Sequence, residues 1–270
     1  QYRLNLKKRT HIMGILNITP DSFYKESRVI SVNTALKRAD KMIREGADIL
    51  DIGGESSRPG SNPVSEEEEL KRILPVINGL IKKFDIPVSV DTYKSAVARA
   101  VLEEGVSIIN DISGLRFNPN MAKTIASAKA AVIIMHISGK PKTMQKNPSY
   151  KSLMREITAY LKRGIKQAVS SGIKESSIIV DPGIGFGKKF SHNITILKKL
   201  KQLQKLKKPI LLGLSRKSFI GKILDLPVEE RLEGSIAASV FGILNGAQIL
   251  RTHDVKETKR ALAVADAIIH

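Results

Sequence analysis

Along most of the chain, short apolar runs rich in β-branched residues alternate with longer segments whose apolar positions return every three to four residues. The first pattern fits strands buried on both faces, and the second fits amphipathic helices packed on them. The spacing predicts strands over 11–17, 48–52, 87–91, 107–111, 131–136, 178–181, 209–214 and 247–251. It predicts helices over 31–45, 65–84, 94–104, 118–127, a segment ending near 170, 191–206 and 234–244, with a last helix after Asp254. Gly46, Gly105 and Gly172 close three of these helices, and Ser65-Glu66-Glu67-Glu68 opens another as a capping box. A polar loop runs from the fifth strand through Tyr150, and a Gly/Pro-interrupted connection links the seventh strand to 234–244.

Eight strand–helix units with no linker-like break describe one α/β domain over 1–270, closed as a single-domain (β/α)8 TIM barrel. An open doubly wound sheet is the alternative. Such a sheet usually carries a glycine fingerprint at its first turn. Neither Gly14-Ile15-Leu16-Asn17 nor Gly183-Ile184-Gly185-Phe186-Gly187 has that spacing, or that of a P-loop.

Composition narrows the function. There is no cysteine, which excludes disulfides and thiolate metal sites. The opening residues after Gln1 are basic and lack a signal-peptide core, and no apolar run reaches membrane-span length. The reading is a soluble, cytoplasmic protein without membrane contact, and a first residue of Gln rather than Met implies that an upstream tag or domain was removed. The net charge of +19 raises the question of nucleic acid. Most lysines are dispersed over the polar sides of helices, and aromatic residues are only 4 %, too few for stacking platforms. The densest run, 198–208, is amphipathic, with Leu197, Leu200, Leu203 and Leu206 forming a stripe under a basic outer face. A lysine-rich surface that favours small anionic substrates fits better than a nucleic-acid interface.

The candidate chemistry lies where strands end. Asn17, Asp51, Asp91, Asn110, Asp111, His136, Asp181, Ser215, Lys217, Arg251 and His253 all stand at or just beyond the C-terminal ends of predicted strands, the catalytic face of a barrel. Any one of them alone reads as a cap or turn former; nearly every strand ending this way reads as an active site. Asp91, Asn110, Asp181 and Lys217 supply acceptors and donors suited to a flat heterocycle with N–H and C=O edges. Asn17, Arg251 and His253, from units that become neighbours on closure, suit an anion such as phosphate, and Arg58 can reach the same side. His253 has an alternative role in orienting its own loop through Asp254. No H-E-x-x-H motif is present, so magnesium held mainly by substrate phosphates, with Asn17 as an oxygen ligand, fits better than a protein-built zinc site.

Longer motifs carry a resemblance. Met13-Gly14-Ile15-Leu16-Asn17-Ile18-Thr19-Pro20-Asp21-Ser22-Phe23 and Asp51-Ile52-Gly53-Gly54-Glu55-Ser56-Ser57-Arg58-Pro59-Gly60 resemble the two signature segments of the dihydropteroate synthases. Val90-Asp91-Thr92-Tyr93-Lys94, Ile109-Asn110-Asp111, Met135-His136, 181–188, Ser215-Arg216-Lys217-Ser218 and Arg251-Thr252-His253-Asp254-Val255 match further family motifs in order. Pterin-dependent methyltransferases share the barrel but are not expected to carry both the Ser-Ser-Arg-Pro-Gly and Ser-Arg-Lys-Ser loops. The resemblance implies a transferase that condenses p-aminobenzoate with a dihydropterin pyrophosphate in folate biosynthesis, with Mg2+, inhibition by sulfonamides and a homodimeric state.

It also implies site roles. Asp91, Asn110, Asp181 and Lys217 hold the pterin, with Met135, Phe186 and Gly213 lining its pocket. Asn17, Arg251 and His253, with Ser57 and Arg58, hold the pyrophosphate, and Asn17 is the magnesium ligand. Ser218, at the start of a helix after the seventh strand, meets the p-aminobenzoate carboxylate with help from the helix N-terminus, and Phe23, Pro59 and Arg58 complete that subsite. Asn17, Arg58, Lys217, Asp21 and Glu26 form the catalytic set. The first loop departs from the family's Ser-Phe-Ser-Asp-Gly-Gly: Lys25 stands where the second acid is usual, and Glu26 is expected to take its place.

Overall fold

The computed structural model describes residues 2–6, 8–19 and 32–269. Among them the strands are β1 His11–Asn17, β2 Ile49–Gly53, β3 Val88–Asp91, β4 Ile108–Asp111, β5 Ala131–Met135, β6 Ile178–Asp181, β7 Leu211–Gly213 and β8 Ile249–Thr252. The helices are α1 Val32–Arg44, α2 Glu66–Lys83, α3 Ser95–Glu103, α4 Met121–Ser127, α5 Leu153–Ser170, α6 Phe190–Lys198, α7 Ser218–Leu224, α8 Leu232–Leu244 and α9 Val255–Ile269. The strands pair in parallel in the order β6-β5-β4-β3-β2-β1-β8-β7. A parallel bridge between Val180 and Ile210, with Val180 N donating to Pro209 O at 2.9 Å, joins the two ends. This is the predicted TIM barrel.

The strands are apolar throughout because both of their faces are covered. Outward residues such as Leu50, Ile52, Val90, Ile109, Ile134, Val180, Leu212 and Leu250 are buried beneath the helical shell. Inward residues Met13, Ile49, Ile108, Ile133, Ile179, Leu211 and Ile249 form a separate cluster that fills the lower barrel. The barrel is therefore plugged with side chains at its N-terminal end. Whatever the strands present two residues further along stands on a rigid, dry floor.

Two sequence expectations change. The predicted 191–206 helix is two pieces: α6 ends at Lys198, and Leu200–Leu206 winds as a 3-10 helix. Leu197, Leu200, Leu203 and Leu206 recur every third residue, which aligns on one side at three residues per turn but drifts at 3.6. The connection after β7 contains α7, which opens at Ser218 as the resemblance implies. The capping box of α2 is half formed: Ser65 Oγ accepts Glu68 N at 3.1 Å, while Glu68 Oε1 instead receives Arg72 Nε at 2.8 Å. Among the described residues, no helix is long and apolar enough to cross a membrane.

Candidate active site

A strand residue two places on from an inward one also points inward. Counting two from Ile49, Ile108, Ile133, Ile179, Leu211 and Ile249 gives Asp51, Asn110, Met135, Asp181, Gly213 and Arg251. Neighbouring strands set Asp91 beside Asn110, Met135 beside Asp181, and Gly213 beside Arg251. The inner wall thus changes from aliphatic to polar in one layer, at the C-terminal mouth.

Hydrogen bonds knit that layer together. Arg251 donates from Nε to Asp51 Oδ2 at 2.6 Å and from Nη2 to Asp91 Oδ2 at 3.2 Å. Asn110 Nδ2 reaches the same Asp51 oxygen at 3.2 Å, leaving the Asn110 carbonyl oxygen for another partner. Asp51 is 0 % exposed. Burial works against the charge on Arg251, but Asp51 and Asp91 outweigh it and hold the guanidinium above its ordinary pKa. Burial pushes the Asp91 carboxyl up, opposed by Arg251 and reinforced by Asp51. Arg251, expected from sequence beside Asn17 and His253 in an anion site, therefore also belongs to the polar wall of the barrel.

Asp181 and Lys217 face each other across the β6–β7 seam. Burial raises the Asp181 carboxyl, with Lys217 pulling the other way. Lys217 immediately precedes α7, and burial lowers its ammonium to about 8, again against the pull of Asp181. Its Nζ donates to Ile184 O and lies 4.8 Å from the centroid of the Phe186 ring. Met135 and Phe186 belong to an apolar group with Ile112, Ile137, Met144, Tyr93 and Phe117 beside this wall.

Gly183 shows how tightly the glycine loop is seated. Its φ is +69°, and a Cβ there would lie 1.9 Å from His136 O. Gly183→Ala is expected to destabilise the protein by about 2 kcal/mol or more, with a Tm drop of about 4 °C or more and loss of pyrophosphate release. Thermal unfolding followed by an activity assay checks this, and an unchanged Tm would count against the seating.

Above the polar layer lie two further corners. Asn17 ends β1 beside Gly53, where a Cβ would stand 3.6 Å from Asn17 Oδ1 and 3.8 Å from Asp91 Cβ. His253 Nδ1 is 3.0 Å from Ser215 Oγ, which also accepts His253 N at 3.3 Å. The hydroxyl proton then goes to Nδ1, so Nε2 keeps its hydrogen as a donor. Burial, then Arg251, lower His253 to about 4, so the ring is neutral at pH 7. Arg216 holds this corner together by a two-pronged bond to Asp254, at 3.0 and 2.7 Å. The second corner is a cleft of about 420 Å³ that places Pro59 and Ser218 with Phe190, Lys188, Lys189 and Lys222. No acidic side chain lines it among the described residues. Ser57 is half-buried, and Arg58 is exposed on the loop after β2.

Two strand-end residues do not join the site. Asp111 follows the inward Asn110 and points outward, accepting Ser113 N at 2.7 Å and Leu115 N at 2.9 Å, which makes it a turn former. His136 follows the inward Met135 and is buried against Lys188 Nζ at 2.9 Å. Asp21, Phe23 and Glu26, with the rest of the first loop, lie outside the described residues. Sequence reading also misses the group that anchors the second loop. Lys94 Nζ lies 2.6 Å from both Glu55 Oε2 and Glu69 Oε2, and Tyr93 donates to Glu55 Oε1 at 2.7 Å.

Among the described residues no group of three or more His, Asp or Glu could hold a metal. A lone amide oxygen, Asn17 Oδ1, beside the space that Gly53 leaves open fits a hard cation that takes its remaining ligands from phosphate and water.

Comparison with known proteins agrees with this architecture. Residues 13–253 match the family described as pterin binding enzyme. The dihydropteroate synthase of Clostridium beijerinckii is 46 % identical, over 98 % of this chain and 96 % of its own length. A Yersinia pestis dihydropteroate synthase crystal structure with a sulfonamide drug complex superposes with a TM-score of 0.94 at 42 % identity, covering 98 % of this chain and 96 % of the other. The Clostridium difficile dihydropteroate synthase structure determined in the presence of pteroic acid gives 0.93 at 46 % identity, covering 98 % and 99 %. With likeness running nearly end to end in both sequence and fold, and the signature segments placed on one barrel mouth, the chain belongs to the dihydropteroate synthases.

Proposed function

We infer that the protein joins p-aminobenzoate to 6-hydroxymethyl-7,8-dihydropterin pyrophosphate, giving 7,8-dihydropteroate and pyrophosphate in folate biosynthesis. The carrying observation is the single polar layer of Asp51, Asp91, Asn110, Asp181, Lys217 and Arg251 beside a separate cationic cleft, in a chain of this family. In the reaction the methylene C–O bond to pyrophosphate breaks, the arylamine nitrogen forms a C–N bond to the same carbon, and the nitrogen gives up a proton. Departure of pyrophosphate first leaves a cation that the pterin ring delocalises. The enzyme's task is then to stabilise the leaving anion, shelter the cation and position a neutral amine.

Asp91 and Asp181 accept from pterin N–H groups, the Asn110 carbonyl oxygen accepts beside them, and Lys217 donates to the ring. Met135 and Phe186 bound the ring's faces, and Gly213 leaves room at the wall. Arg251, neutral His253 through Nε2, Asn17, Ser57 and Arg58 take the pyrophosphate. Mg2+, held by Asn17, would neutralise charge on the departing phosphates. Ser218 meets the p-aminobenzoate carboxylate, with Pro59, Arg58 and Phe23 around the ring. Asp21 and Glu26 act from the first loop on the cation. Sulfonamides compete in the p-aminobenzoate cleft. The cytoplasmic protein works as a homodimer, for which the exposed Phe241 and Leu244 of α8 and Val264 and Ile268 of α9 supply apolar surface.

The test is pyrophosphate release by purified protein given magnesium and the dihydropterin pyrophosphate, with and without p-aminobenzoate. Release that depends on the arylamine is expected. No release in either case would overturn the assignment and favour methyl transfer by a pterin-dependent barrel.

A further inference from the structure

The chain from Asp181 to Lys188 passes through left-handed backbone at Gly183, Gly185 and Gly187. Glycine confers little intrinsic shape, so such a loop must be held from outside. Every carbonyl from 183 to 187 is held by a different donor. Gly183 O receives Phe186 N at 3.1 Å, and Ile184 O receives Lys217 Nζ. Gly185 O receives Gln145 Nε2 at 2.6 Å, Phe186 O receives Lys188 Nζ at 2.9 Å, and Gly187 O receives the Tyr150 hydroxyl at 2.7 Å. On the amide side, Asp181 Oδ1 takes Gly183 N at 2.6 Å and Asn193 Oδ1 takes Gly185 N at 2.8 Å.

Among these clamps Lys188 stands apart. It is 3 % exposed, and the partners of its Nζ are Phe186 O, His136 Nδ1 at 2.9 Å and His136 O at 3.4 Å. Among the described residues it forms no ion pair with a carboxylate. Burial drives this amine well below the ordinary lysine pKa, with Asp181 pulling the other way without touching it, so the group works against folding and an apolar side chain of similar length would pack there more favourably. Stability does not account for the amine; its bonds do. They tie the carbonyl of Phe186 to the end of β5, next to the inward Met135, while the Phe186 ring lies over the Lys217 amine.

We propose that Lys188 is a positioning residue for the transfer reaction, fixing the Phe186 backbone to β5 so that the Phe186 ring and Lys217 amine keep their relative placement. The proposal rests on the reading of Asp181, Phe186 and Lys217 as the pterin pocket. In this role Lys188 acts on the pterin through Phe186; it also lines the cleft with Ser218, which is why binding is read without p-aminobenzoate. His136 is its acceptor, with the ring hydrogen on Nε2, and burial followed by the nearby Lys188 charge keeps this imidazole neutral.

The experiment is calorimetric titration of dihydropterin pyrophosphate into wild type, Lys188→Met, Phe186→Ala and the double variant, without p-aminobenzoate. Lys188→Met is expected to weaken binding about tenfold while its Tm stays level or rises. Because Lys188 acts through Phe186, the double variant should bind within about threefold of Phe186→Ala, a non-additivity that a general structural role would not give. Gln145→Ala releases Gly185 O from an exposed position, so it keeps the clamp testable should Lys188→Met fail to fold. It is expected to weaken binding about threefold, again without adding to Phe186→Ala. Wild-type affinity in Lys188→Met, or in Gln145→Ala where it stands in, overturns the proposal, as do losses that multiply in the double variant. Wild-type affinity in Phe186→Ala overturns the pocket reading itself and the proposal with it; a weak Phe186→Ala beside a normal Lys188→Met overturns the proposal alone.

Discussion

A Lys217→Met protein is expected to lose about a thousandfold in kcat/KM for the dihydropterin substrate and to melt at a higher temperature than wild type. The two effects have one cause. Burial lowers the ammonium from 10.5 to about 8, equivalent to roughly 3 kcal/mol working against the charged form in the folded state. The unfolded chain keeps its proton up to about pH 10.5, whereas the folded protein releases it near 8. Folding is therefore penalised below pH 8, and wild type gains stability as pH rises from about 8 to 10.5. Methionine keeps most of the stem's packing and removes the penalty, for a Tm rise of several degrees. Activity should run the other way: wild-type kcat/KM is expected to fall about tenfold per pH unit above 8 as the donor charge is lost. Thermal melts and pyrophosphate-release kinetics from pH 6 to 10 check both limbs. A variant within tenfold of wild-type activity would show that Lys217 does not carry the pocket.

Asp51→Ala is expected to fail in both respects at once. Its carboxylate is fully buried and takes Arg251 Nε and Asn110 Nδ2 on one oxygen. Removing it leaves Arg251, which cannot give up its proton, with Asp91 as its remaining carboxylate partner and leaves Asn110 Nδ2 without its acceptor, a loss of about 3–5 kcal/mol and a Tm lower by about 8 °C or more. Pyrophosphate release should fall at least a hundredfold, since both Arg251 and Asn110 lose their orientation. Adding Arg251→Met to Asp51→Ala should recover most of the Tm, because the remaining Asp91 can take up a proton. It should recover none of the activity. Should the double variant melt no higher than Asp51→Ala, the ion group does not hold the wall together as described.

Much of this was legible in the residues. The eight-unit alternation gave the barrel, and the polar residues closing the strands marked its working face. Strand parity would have refined the set further. Counting in twos from Ile108 separates inward Asn110 from outward Asp111, and counting from Ile133 keeps Met135 and sends His136 to the shell. The break in α6 was also written in the three-residue spacing of its leucines. Other features were not legible. Glu55, Glu69 and Lys94 meet across separations of 39 and 25 residues, and no local pattern announces such a meeting. Lys188 reads as one more surface lysine until the glycine loop is folded around it. The double engagement of Arg251 depends on how far β8 slides past β1, which register alone decides.

The seam between β6 and β7 behaves differently from the rest of the cylinder. The other strand pairs run in register for three to five residues, whereas this pair is joined through the Val180–Ile210 bridge. Asp181 stands on one lip and Lys217 just past the other. A pterin held by both is expected to bridge the least-paired seam of the barrel. Occupancy of that one pocket is then expected to slow amide exchange around 178–181 and 211–213, on strands whose outer faces the ligand never meets.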